Sequence, residues 1–376
     1  MDTARRRWMV ALAGAAAWPA HAWAQSAPAG LALAWDEPDG PARAARRCIG
    51  VWRPSGDALE VASRLVVPTR AHGVARLAVP GAGEQLVAVA RRPGLWMRRW
   101  SADGRVLHEA WAEPGRQFNG HVWHDAAQGV LFSTEQRHED GAGVLVLRDP
   151  LTLARRAEWP TGGTDPHALL AVDDMLFVAN GGVPTRPESG RTRDDTLALD
   201  SSLVAFDRRS GQLRGRWRLP DPQLSLRHLA WHPGSRTLGI ALQAEHADRA
   251  ARATAPLLAV LDRTGLRAVP LPPAAEGGGD WAGYAGDIVA TPGGFRLGAT
   301  RADALLGWSA ASGWAPALPL VQAGAQVASD GPADGGASWS LGAAGALCVS
   351  PAAARALALP PGCLPDNHAV WLPHAA

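Results

Sequence analysis

The sequence contains no lysine. All 37 basic residues are arginine, in a chain rich in Ala, Gly and Pro. This is a GC-rich coding bias without functional weight, and it also accounts for part of the excess of 17 Trp over a single Tyr. Cysteine is scarce: Cys48, Cys348 and Cys363 form neither C-x-x-C nor C-x-x-C-H, which excludes zinc-ribbon sites and covalent c-type haem attachment. An oxidising compartment would permit one disulfide, with Cys363 as the expected partner of Cys348 or Cys48. G-x-S-x-G, H-E-x-x-H, the P-loop and a dinucleotide fingerprint leading into a helix are all missing, which argues against an ordinary hydrolase or nucleotide enzyme. No charge of one sign dominates. The formal net charge of +2 falls to about zero without residues 1–24, which argues against a general nucleic-acid-binding surface. No apolar run is long enough for a stable membrane span, and no 10–15-residue amphipathic stretches separate the strands, which excludes an α/β layout.

What is present begins at the N-terminus. Arg5, Arg6 and Arg7 precede an apolar stretch from Trp8 to Ala20, and Ala22-Trp23-Ala24 offers a small-x-small cleavage site. These are the charged, apolar and cleavage regions of an export signal over residues 1–24, by the twin-arginine or the Sec route. The mature chain, 25–376, is then expected in the periplasm.

A repeat fills that mature chain. GHVWHDAAQGVLFSTEQ, DPHALLAVDDMLFVANGG and SLRHLAWHPGSRTLGIALQ each read as a polar opening, an apolar strand, a turn and a second strand. Units open at His72, His121, His167, His228, Asp287, Gln326 and His368, at intervals of 49, 46, 61, 59, 39 and 42 residues. Such spacing suits the four-stranded blades of a β-propeller of the YVTN/WD40 kind. The last unit has a single strand, and its missing three are supplied by LALAW, RRCIGVWR and LEVASRLVVP near the other end. The expected fold is therefore all-β: a seven-bladed propeller, one domain over 25–376, closed by strands from both termini.

In that register the residue opening each innermost strand approaches the central channel. His72, His121, His167, His228, Asp287 and His368, with Gln326 completing the ring, are candidate ligands for a transition metal such as iron or copper. The competing reading makes each His a blade-junction hydrogen bonder multiplied by the repeat. A second candidate is the loop after Asn180-Gly181-Gly182, where Arg186, Arg191 and Arg193, together with Arg227, could bind an anion or pair with nearby acids. Glu135 is a candidate general acid or base. Trp111, Trp123, Trp159, Trp217 and Trp231 are expected to pack between blades.

The stretch Phe118–Leu229 and the ending Asp366-Asn367-His368 closely resemble a family of periplasmic seven-bladed propellers of unknown function. Genes of that family often lie beside those of imelysin-like iron-uptake proteins and di-haem oxidoreductase-like proteins. The resemblance implies the fold and a periplasmic setting, with imelysin-like proteins as partners; it assigns no catalytic residues. Three roles stay open: a metal-, haem- or partner-binding accessory of metal uptake; a lyase- or lactonase-like enzyme with a metal-assisted site at the channel mouth; and an inert scaffold.

Overall fold

The computed structural model describes residues 30–39, 45–79, 84–185, 190, 192–271, 280–328, 337–350 and 353–373. The export-signal residues, Arg186 and Arg191 lie outside these.

Seven antiparallel sheets form the seven blades of a propeller. Blade 1 runs from Ala71–Leu77 outward through Gln85–Ala90 and Trp96–Ser101 to Val106–Trp111. Blades 2, 3 and 4 begin at the inner strands Arg116–Asp125, Pro166–Val172 and Leu224–His232. Blades 5 and 6 begin at Ile288–Thr291 and Gln326–Ala328. Blade 7 takes its inner strand, Leu364–Leu372, from the C-terminal end and its other three, Gly30–Glu37, Arg46–Ser55 and Ala58–Val66, from the N-terminal end. Each inner strand touches the next around the circle, and Leu364–Leu372 meets Ala71–Leu77 to close it. Closure between distant parts of the chain removes the unpaired edge that an open array would expose.

Each blade is covered on both faces by its neighbours, so its inner strands are apolar on both faces rather than alternating. Gln85–Ala90, for example, is buried throughout. Seven apolar clusters follow, one at each seam. The seam between blades 6 and 7 holds Trp35, Trp52, Trp339 and Trp371. Outer strands such as Arg155–Pro160 are largely exposed.

Trp123, Trp159, Trp217 and Trp231 join seam clusters, as packing between blades requires. Trp111 does not: it sits on the outer strand of blade 1 and is 56% exposed. The disulfide expectation also fails. Cys48, Cys348 and Cys363 share the blade 6–7 seam as buried thiols with no disulfide among them. Burial and the nearby Glu37 push the Cys48 thiol up to about 12, so it behaves as a small apolar side chain.

Candidate metal centre

Five of the seven inner strands carry a histidine, and those five share a local irregularity. Pairing with the second strand slips between Ala71 and Val74, Phe118 and Val122, Pro166 and Leu169, and Leu226 and His228. In blade 7 it slips across Pro365–Ala369. Each slip places extra residues on the inner strand at the histidine. A β-bulge of this kind bends the strand and re-aims a side chain. Blades 5 and 6, whose strands open with Asp287 and Gln326, pair without a slip.

The result is a knot of imidazoles on the axis. One ring nitrogen from each of His72, His121, His228 and His368 lies within 4.8 Å of the others. His167 sits beside them, with its Nε2 3.0 Å from Nε2 of His228, and the Nε2 atoms of His368 and His72 are 3.3 Å apart. Nitrogens this close must share a proton or a cation, because two bare lone pairs would repel.

Carboxylates behind the rings fix two of them. His72 Nδ1 is 3.0 Å from Asp366 Oδ1, and Arg70 pairs with the other oxygen of that carboxylate. His368 Nδ1 is 3.2 Å from Asp287 Oδ2. Asp287 also accepts the backbone N–H groups of Ile288 and Gln326, at 2.8 and 3.0 Å. Such partners select the tautomer that offers Nε2 and raise its basicity, as is usual behind metal-bound histidines. Burial, aided by repulsion from neighbouring rings and Arg227, holds His121, His167 and His228 well below the ordinary imidazole value. The lowering favours the neutral form of these three rings, the form that ligates.

Several sequence-based assignments change. Asp287 holds a ring instead of joining the ligand cluster. Gln326 is tied up locally: its Oε1 accepts from Ser340 and its Nε2 donates to the Gly324 carbonyl. Asn180 lies in the second strand of blade 3, fully buried, where its amide donates to Ser202 Oγ and the Thr161 carbonyl. Arg227 is on the inner strand of blade 4, not in a loop, and pairs with buried Asp165 at 2.8 Å. Arg193 spans Asp195 and the Glu245 carbonyl. Glu135 is buried 2.7 Å from Arg148; burial raises its pKa while Arg148 opposes. It supports blade 2 and does not face the axis cluster.

Beside the imidazoles is a narrow crevice of about 20 Å³, enough for one or two water-sized groups and far too small for a haem. His72, His167 and His228 form one side; Arg91, Arg92, Arg227, Asn119 and Tyr284, the sole tyrosine, line the rest. Asp165, Asp366, Arg91, Arg92 and Asn119 were not singled out from sequence. Only the acidic residue two before His368, in Asp366-Asn367-His368, offered a signal.

The comparisons bear on this geometry through the fold. The family model described as "Protein of unknown function (DUF1513)" matches residues 65–372, a span that includes all five axial histidines. The chain belongs to the DUF1513 family. No curated protein sequence matches it. Among solved structures, a hypothetical selenium-binding protein from Sulfolobus tokodaii is similar at 10% identity and TM-score 0.59, over 92% of this chain and 93% of that one. Apo AztD from Citrobacter koseri is similar at 10% identity and TM-score 0.51, over 91% and 98%. A proposed 6-phosphogluconolactonase from Bacteroides uniformis is similar at 10% and 0.51, over 90% and 97%. At that identity these likenesses show a shared propeller fold for this DUF1513 member and nothing about its chemistry.

Proposed function

We propose that this DUF1513 propeller binds one transition-metal ion on its axis and serves as an exported accessory protein of metal uptake. The observation that carries the reading is the convergence of His72, His121, His228 and His368 from four blades, two of them braced by Asp366 and Asp287. A purely structural histidine needs one hydrogen-bond partner at its own blade junction. It does not need four other imidazoles as neighbours, nor a strand bulge to bring it to them. Neutral imidazole suits copper, zinc, nickel and iron, and on affinity alone copper would bind most tightly. Iron is suggested by the resemblance to propellers encoded beside imelysin-like proteins, which are the proposed partners. The Arg5–Arg7 signal supports export to the periplasm.

The enzyme reading has less support. Glu135 is paired with Arg148, and Asp287 is engaged by His368 and two backbone amides, so neither is poised as a general base.

The test is elemental analysis of the full chain expressed with its signal and purified without chelator or affinity tag. About one iron or copper per chain is expected, reduced to background in His121→Ala at unchanged secondary structure. Metal-free protein that also fails to take up copper, iron or zinc in solution would refute the reading.

A further inference from the structure

The polar groups lining the crevice are unevenly satisfied. Arg92 and Arg227 both pair with the single carboxylate of Asp165, which is fully buried. Glu245 stands 3.6 Å from Arg227 Nη2. The Arg91 backbone N–H donates to the Arg70 carbonyl, but its guanidinium has no hydrogen bond or close ion pair with any described residue, and the Asp366 carboxylate whose field it feels is already taken by Arg70 and His72. Three guanidinium groups thus face two available carboxylates, before any metal charge is added. Burial holds the Arg91 guanidinium below its ordinary value, with Asp366 opposing and Arg70 and Arg92 adding to the lowering.

An independent observation points the same way. Asn119 is fully buried at the crevice wall, yet its Nδ2 has no acceptor, and buried Arg227 Nε has none either. An unmatched buried donor costs roughly 1–3 kcal/mol. Besides Nδ1 of His167 and of His228, which donate or accept according to tautomer, these three unmatched groups are donors, so the partner they lack is an acceptor carrying negative charge.

We propose that the crevice is an anion subsite for a small planar oxyanion, a carboxylate or bicarbonate, held by Arg91, Arg92, Arg227 and Asn119 beside the axial imidazoles. Planar oxyanions match the guanidinium fork in a way that a spherical halide does not. The space of about 20 Å³ restricts the occupant to a group of formate or bicarbonate size, or to the carboxylate head of a larger molecule entering from the mouth. The subsite rests on the metal reading for its neighbour: an anion held there would offset the ion's charge, and each would tighten binding of the other by the same factor.

The experiment titrates the full chain with ¹³C-formate and, separately, ¹³C-bicarbonate, followed by NMR in the metal-free and zinc-loaded states. Saturable binding of at least one anion is expected, at least tenfold tighter with zinc and at least tenfold weaker in Arg91→Gln. Asn119→Ser provides a second variant, with the same expected direction, should Arg91→Gln not fold. The anion that binds identifies the source. No saturable binding of either anion in either state, or unchanged binding in a folded Arg91→Gln chain, overturns the subsite. Anion binding in a chain that takes up no metal upholds the subsite and overturns the metal reading alone.

Discussion

At Gly120 the backbone adopts φ +95°, and an added Cβ would lie 2.9 Å from Cδ2 of His72. The neighbouring approach is as tight: a Cβ at Gly73 would come within 2.5 Å of the Gly120 carbonyl oxygen. These two glycines let the bulged inner strands of blades 1 and 2 pass close enough for His72 and His121 to meet, with ring centroids 4.9 Å apart. Gly120→Ala is therefore expected to destabilise the chain by about 1–3 kcal/mol through backbone strain. It should also weaken metal binding by displacing His72. Thermal unfolding and a competitive metal titration read the two effects separately, and an unchanged metal affinity would mean that His72 is not held where the site needs it.

Among the elements, strands were legible and bulges were not. The openings at His72, His121, His167, His228 and His368, and the third strands beginning near Val144, Ser202, Leu257 and Leu305, follow from short apolar runs punctuated by Asp, Gly and Pro. Such runs carry their own signal because both faces of an inner blade strand are buried. A bulge depends on the partner strand's register, which the strand's own residues do not encode. Asp287 therefore read as a ligand equivalent to the histidines, whereas its unslipped strand leaves it behind His368. Arg227 reads with the Asn180 loop, yet it lies in the inner strand of blade 4, buried and paired with Asp165 at the start of the neighbouring blade. Asp165 itself, at φ +51° between blades 2 and 3, holds Arg92 from blade 1 and Arg227 from blade 4, a link between chain positions too far apart to recognise in sequence.

For the whole molecule, closure of the ring by both ends of the chain concentrates five imidazoles on one axis, and this makes stability depend on pH. His121, His167 and His228 are held below the ordinary value of about 6.5 when folded, mainly by burial. As pH falls through about 6.5 the unfolded chain takes up protons that the folded chain refuses, so stability is complete above that value and declines below it. Each group contributes up to about 1.4 kcal/mol per pH unit. The melting temperature of metal-free protein should consequently drop between pH 7 and pH 5.5, and drop less in His167→Gln. A flat profile would mean that the rings take up protons as readily in the folded chain as in the unfolded one.

Four or five of these imidazoles are proposed to hold one ion. X-ray absorption at the copper edge of the loaded, full-length chain tests it most directly. A first shell of nitrogen at about 2.0 Å is expected, with the outer-shell scattering of at least three imidazole rings and no sulfur. A shell dominated by oxygen or containing sulfur, or imidazole scattering that persists unchanged when His121 and His228 are replaced by alanine, would place the ion elsewhere and contradict it.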